Sequence, residues 1–260
     1  MGLFEAAWLG IVQGLTEFLP VSSSGHLVMA ETLLGQADAN VVFEVSVHAG
    51  TLLAILVFYR ARIGELIRGL LTSDPAALRD VAKLVVATLP AVVAGLTAKE
   101  FFESLFATPQ VVGYALLVTG LLLLTIRWTL PRAHAQEPTF PQAFWIGCAQ
   151  VLAITPGISR SGTTVAVALA LGVAPLAATE FSFLMGAAAI TGASVLALPD
   201  VVDAGAATLL ACGIGSVTAA LSGLVALRWF VRLIESQRFH VFAYYCVPVG
   251  LSFLAYLALR

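Results

Sequence analysis

The sequence predicts an all-α polytopic membrane protein: an inverted-topology repeat of six transmembrane helices plus two re-entrant helical hairpins. Three observations predict it. Of 260 residues, 60% are hydrophobic and 11% charged, against about 25% charged in soluble domains. Six apolar stretches approach the ~20 residues that cross a bilayer core of about 30 Å. Two further apolar regions are broken by polar, Gly- and Pro-containing motifs at matched positions.

The six crossings fall at 41–59, 82–98, 110–128, 178–198, 206–227 and 241–259. They leave no room for a large soluble module, so residues 1–260 form a single membrane domain. The net charge of −2 carries no nucleic-acid signature. Cys148, Cys212 and Cys246 each stand alone in apolar sequence, which argues against a disulfide framework or a zinc site. The N-terminus lacks a basic start and does not read as a signal peptide.

The first broken region, 2–34, is interrupted at Pro20-Val21-Ser22-Ser23-Ser24-Gly25. The second, 140–171, is interrupted at Pro156-Gly157-Ile158-Ser159-Arg160-Ser161-Gly162. Proline and glycine end helices at such points, and the pieces on either side are short for a crossing. Each pair therefore reads as a hairpin that enters the bilayer and returns. Irregular backbone at membrane depth is tolerated only inside protein or against a polar cavity, so each break is a candidate site.

The hairpins read as copies. Gln13 and Gln150 stand 137 residues apart, as do Ser22 and Ser159, Ser24 and Ser161, and Gly25 and Gly162. Glu44, Ser46 and Gly50 echo Glu180, Ser182 and Gly186 at a spacing of 136. Repeat one spans about 1–130 and repeat two about 138–260. Each holds a hairpin and three crossings, so the second copy is upside down, and the two breaks are expected to meet near the midplane. Lys and Arg mark the cytoplasmic side. Ten of the 13 fall on one side, at Arg60, Arg62, Arg68, Arg79, Lys83, Arg127, Arg132, Arg228, Arg232 and Arg238. Lys99, Glu100, Glu103, Asp200, Asp203 and Arg260 fall on the other, and both termini are expected outside. Trp8, Trp128, Trp145 and Trp229 read as interfacial anchors.

Ionisable groups at membrane depth are costly and mark function. Gln13 and Glu17 share a helix face four residues apart. A carboxylate with an amide oxygen beside it suits a hard cation, Mg2+ or Ca2+; the alternative is a polar pair that ties helices together. Ser22-Ser23-Ser24-Gly25-His26 opens a helix, where free N–H groups and the dipole favour phosphate. His26 lies one turn beyond Ser23, within reach of its hydroxyl for nucleophilic or acid–base work; the alternative is a serine cap with a histidine bonded to a carbonyl. Ser159-Arg160-Ser161-Gly162-Thr163-Thr164 opens another helix, and the fork of Arg160 fits phosphate oxygens. The alternative is an ion pair of Arg160 with Glu17 or Glu180. Glu44 and His48 read as bonded to each other, and Glu180 as an interfacial residue.

Gln13 to His26, Gln-Gly-Leu-Thr-Glu-Phe-Leu-Pro-Val-Ser-Ser-Ser-Gly-His, closely resembles the first signature of the undecaprenyl-diphosphate phosphatase family, also called the bacitracin-resistance protein family. Pro156 to Gly162 resembles its second signature, and Phe43-Glu44-Val45 and Glu180-Phe181-Ser182-Phe183 also match. Order, spacing and length agree over essentially the whole chain. The resemblance implies a metal-dependent phosphatase of the bacterial inner membrane, its site open to the periplasm. It would hydrolyse undecaprenyl diphosphate to undecaprenyl phosphate, recycling the carrier of peptidoglycan synthesis and conferring bacitracin resistance. It implies Glu17 as the acidic residue of the metal and diphosphate site, with Gln13 the neutral form of a position that is Glu or Gln in the family. It places Ser23 and His26 at the reacting phosphate with Arg160 holding it, and Ser159 and Thr164 at further phosphate contacts.

On this reading Ser23, activated by His26, attacks the terminal phosphorus while Arg160 and the cation neutralise charge; His26 or a metal-positioned water are the other candidate nucleophiles. Ser22, Ser24, Gly25, Ser161 and Gly162 complete the phosphate cradle. The expected partners are the lipid substrate and membrane lipid, and the sequence allows a homodimer. An inverted-repeat lipid flippase, with or without phosphatase activity, is the rival reading.

Overall fold

The computed structural model describes residues 1–34, 41–202 and 204–259; Asp203 and Arg260, two of the charges expected outside, lie beyond the described residues. Apart from one isolated bridge between Ala135 and Val173, the regular structure among the described residues is helical. In chain order the helices are α1 (Leu3–Phe18), α2 (Ser23–Leu34), α3 (Val41–Phe58), α4 (Arg60–Leu71), α5 (Pro75–Thr97), α6 (Lys99–Phe106), α7 (Pro109–Thr129), α8 (Phe140–Leu152), α9 (Arg160–Ala170), α10 (Pro175–Leu196), α11 (Leu198–Val202), α12 (Ala206–Glu235) and α13 (Ala243–Leu259).

The six expected crossings coincide with α3, α5, α7, α10, α12 and α13. Among the described residues five helices are long and apolar enough to span a bilayer, and α3 joined to α4 across a 78° bend makes a sixth candidate. Their lipid-facing sides are apolar: Val85, Leu89, Val93 and Leu96 on α5 are exposed, and so are Leu121 on α7 and Leu221 on α12. A soluble surface rarely carries so much contiguous hydrocarbon. All four tryptophans are exposed as well. The chain is a multi-pass membrane protein.

Helix starts are set by local chemistry. Pro75, Pro109 and Pro175 occupy first-turn positions, where the missing N–H costs nothing and φ is already helical. Asp74 accepts from the backbone N–H groups of Ala76 and Ala77 to cap α5. Thr139 and Gln142 form a reciprocal capping box at α8. Two boundaries differ from expectation: the second crossing, expected from 82, begins as helix at Pro75, where Asp74 caps it. The fifth crossing, expected to end at 227, continues as helix to Glu235. Hydropathy reads where lipid ends, whereas helical hydrogen bonding continues past Arg228 and Arg232 into the aqueous zone.

α1 packs along α12, which also packs along α3; α8 packs along α5, which also meets α10; α7 lies against α13. A column of edge-to-face aromatics fixes the inner end of α1. Phe18 meets Phe183 at 5.6 Å, Phe183 meets Phe230 at 5.0 Å, and Phe230 meets Phe239 at 4.8 Å. Each pair adds about 0.5–1.5 kcal/mol beyond its burial.

The basic side carries a closed ion cluster. Arg62 donates to Asp80 at 2.7 Å and to Glu180 at 3.0 Å, and Lys83 donates to Glu137 at 2.7 Å. The Lys83 ammonium holds the exposed Glu137 carboxyl below the usual carboxylate range. Glu180 thus serves to tie α10 to α4 and α5.

Candidate active site

Both predicted breaks exist. α1 ends at Phe18 and α2 begins at Ser23; α8 ends at Leu152 and α9 begins at Arg160. α2 and α9 have 12 and 11 residues, about 16–18 Å of helix, short of a crossing. The freed backbone groups are paired inside the protein, as the membrane demands. Thr119 of α7 donates to the Gly157 carbonyl at 2.9 Å and accepts from the Ser159 N–H at 3.1 Å. Ser22 Oγ accepts from the N–H of Gly25 at 3.3 Å and from that of Gly157, in the other break, at 3.1 Å. Ser22 takes φ +69° and Gly157 φ +96°, the left-handed region that costs a side-chain-bearing residue energy and comes freely to glycine.

The two breaks share one local geometry. Ser22 Oγ lies 3.4 Å from Ser24 Oγ and caps Gly25 N–H; Ser159 Oγ lies 3.3 Å from Ser161 Oγ and caps Gly162 N–H at 3.1 Å. They also touch. A Cβ on Gly25 would sit 2.9 Å from Gly157 Cα, and one on Gly162 3.0 Å from Pro20 Cβ.

At this junction lies a cavity of about 370 Å3. Glu17 is its hub. One carboxylate oxygen accepts from Arg160 at 2.5 Å; the other accepts from Ser23 Oγ at 2.6 Å and from Gln13 Nε2 at 3.1 Å. His48 Nε2 lies 3.7 Å from that second oxygen. Arg160 lies directly over Gly186 of α10, where any Cβ would overlap its guanidinium. Ser22, Ser23, Ser24, Ser159, Glu44 and His48 share the cavity wall with Glu17 and Arg160, and Phe106 of α6 borders it.

Several expectations need correction. His26 does not pair with Ser23. Its Nδ1 lies 2.8 Å from the Ser22 carbonyl oxygen, and its Nε2 lies 2.7 Å from the Tyr245 hydroxyl of α13, with the rings stacked 5.8 Å apart. A residue three on from Ser23 shares its turn, but the ring turns outward to α13, and His26 is not on the cavity wall. Gln13 does not offer an oxygen beside Glu17. It is fully buried, donates its amide N–H to the carboxylate and stays off the cavity wall. Thr164 is also removed from the cavity: its hydroxyl donates to the Arg160 carbonyl at 2.7 Å and sits 2.5 Å from Ser182 Oγ. Ser161, Gly25 and Gly162 build the breaks without reaching the wall. Glu44 and His48, read as a mutual pair, instead line the cavity, and His48 Nδ1 contacts the Glu44 backbone carbonyl at 2.8 Å, not its carboxylate. Their four-residue spacing on an apolar helix was the available signal.

A serine hydroxyl on a carboxylate, facing an arginine within a membrane, suits phosphoryl chemistry. Comparison with known proteins agrees. The family model for bacitracin resistance protein BacA matches residues 6–252. This chain belongs to the BacA family. It is 41% identical over 253 residues to the undecaprenyl-diphosphatase of Rhodopirellula baltica, covering 96% of each chain. It is 41% identical to that of Desulfosudis oleivorans over 93% of this chain and 94% of the relative, and 37% identical to that of Halothermothrix orenii over 98% of both. Within the matched region, Gln13–His26 and Pro156–Gly162 supply Glu17, Ser22, Ser23, Ser24, Ser159 and Arg160 to the cavity wall, and the relatives are named for a lipid diphosphate.

Proposed function

We propose that this chain is an undecaprenyl-diphosphate phosphatase, releasing inorganic phosphate and returning undecaprenyl phosphate to peptidoglycan synthesis. BacA family membership and the activity named for the relatives support the reaction. The observation that carries it is the 2.6 Å bond from Ser23 Oγ to Glu17, opposite Arg160, where two broken helices meet.

The terminal phosphate enters between the breaks and takes Arg160 from Glu17, aided by the hydroxyls of Ser22, Ser24 and Ser159. Glu17 then accepts the Ser23 proton as Oγ attacks phosphorus. The bridging P–O bond breaks, and its electron pair leaves with undecaprenyl phosphate, which takes the proton on. Water cleaves the phosphoserine, giving a proton to Glu17, which hands it back to Ser23 Oγ. His48 stands beside Glu17 to relay protons. His26 positions the tip through Ser22 and Tyr245.

Among the described residues no group of three or more His, Cys, Asp or Glu could hold a metal by itself. The donor chemistry nevertheless fits Mg2+, which binds through one or two carboxylates plus substrate phosphates and water. Glu17 and Glu44 on one cavity wall would supply the carboxylates. When bound, the cation supplies charge neutralisation on the diphosphate. The same carboxylates, completed by substrate phosphates and waters, also suit Ca2+.

We read the two halves as inverted copies, each hairpin re-entrant, in a bacterial inner membrane with the site facing the periplasm. The matched capping at both breaks supports the repeat. The cavity's border with Phe106, on the side opposite the basic cluster of Arg62 and Lys83, supports the orientation.

Phosphate release from undecaprenyl diphosphate by purified protein tests the reaction. Wild type should release phosphate, a chelator should suppress release, and Ser23→Ala should lose about 100-fold or more. No release by wild type supplied with Mg2+ would end the proposal. Near-normal turnover by Ser23→Ala would transfer the attack from serine to water.

A further inference from the structure

The two ends of the Arg160 guanidinium face different surroundings. Nη2 pairs with Glu17, whereas Nη1 is buried with no hydrogen-bond partner. Gln150, the repeat counterpart of Gln13, is 4% exposed, and neither its amide nitrogen nor its amide oxygen is bonded. Arg160 and Gln150 both line a second cavity, of about 680 Å3, within the range of ligand pockets. It runs on from the first: Arg160, Ala153, Ile154 and Ala189 border both. Beyond that shared end its walls are hydrocarbon from α5 and α10, Val92 and Leu96 facing Val195 and Leu196. Gly95 of α5 and Gly192 of α10 leave further room, since a Cβ at either would meet nothing within 4 Å.

Unpaired buried donors and acceptors ask for a polar partner, and an apolar groove beside them asks for hydrocarbon. One ligand class offers both: a phosphate esterified to a long isoprenoid. We propose that Gln150 and Arg160 Nη1 hold the phosphate that stays on the lipid, and that the groove between α5 and α10 receives the proximal isoprene units. Arg160 then bridges the two phosphates, and the chain leaves sideways into the bilayer. This rests on the first cavity taking the terminal phosphate.

Gly95→Phe and Gly192→Phe each start from a Cβ in open space and put a ring at the groove wall. Each should lower the ratio of kcat/KM for undecaprenyl diphosphate over methyl diphosphate, which carries no isoprene unit, by about tenfold or more. Gln150→Leu should raise KM for both substrates about tenfold with kcat nearly constant, and leave inhibition by inorganic phosphate unchanged. An unchanged substrate ratio in both phenylalanine variants overturns the groove assignment. An unchanged KM in Gln150→Leu, or a fall in kcat alone, overturns the role of Gln150. If a phenylalanine variant fails to fold in detergent, Gly192→Leu gives the same reading. Should wild type release no phosphate, the reaction fails separately, and native mass spectrometry of bound undecaprenyl phosphate still reads the groove. Weaker retention by Gly192→Phe upholds it; equal retention rejects it.

Discussion

Glu17 and Arg160 stand 143 residues apart in the chain and meet at 2.5 Å across the two breaks. Among the described residues neither has a second ionic partner as close: His48 lies 3.7 Å from Glu17. Removing one member strands the other in a poorly solvated place, at about 3–5 kcal/mol. Glu17→Gln and Arg160→Met should therefore each destabilise the protein in detergent. The double variant should recover most of that stability and none of the activity. Thermal unfolding beside phosphate release separates the two effects.

A Cβ at Gly186 would overlap the Arg160 guanidinium, the far end of a flexible side chain, which must then move. Gly186→Ala should displace the arginine and cost about 10²–10³-fold in turnover, the scale for losing one transition-state donor. Helical content by circular dichroism should stay near wild type, because alanine is a good helix former.

Ser22 and Ser23 are neighbours with separable roles. Ser22→Ala leaves the Gly157 N–H buried without its acceptor and removes the cap on Gly25. The expected loss is about 1–3 kcal/mol of stability, visible as a lower unfolding temperature. Ser23→Ala removes only a donor to Glu17 and should leave that temperature within a few degrees while turnover collapses.

His26 and Tyr245 should act as one unit. With Nε2 2.7 Å from the tyrosine hydroxyl, the histidine positions the first break from outside the cavity. The double variant His26→Gln with Tyr245→Phe should be no slower than His26→Gln alone, a non-additivity that contacting residues display. Additive losses in phosphate release would place His26 in the chemistry instead.

Much of this arrangement was legible in the chain. The breaks declared themselves because Pro20 and the Pro156-Gly157 pair disfavour helix, and because Ser and Arg do not sit idly in hydrocarbon. The meeting of Arg160 with Glu17 was also foreseeable, as one of two candidate ion pairs, since a buried guanidinium needs an anion. Orientation within a turn was not. Spacing placed Gln13 beside Glu17, yet whether its nitrogen or its oxygen faces the carboxylate depends on packing around a fully buried side chain. The same gap misdirected His26, whose ring is claimed by Tyr245, 219 residues away. Glu44 and His48 were read as a mutual pair because only the tertiary arrangement of α3 brings them to the cavity.

The hydrogen bond from Gly157 N–H to Ser22 Oγ bears on biogenesis. During synthesis the first break must wait, through more than half the chain, for the second to be inserted. A truncated or half-inserted product thus contains no assembled centre and cannot hydrolyse anything prematurely. Two fragments divided in the 133–138 connection would gain activity only by reuniting in the bilayer, so their complementation reports the final assembly step of the polypeptide.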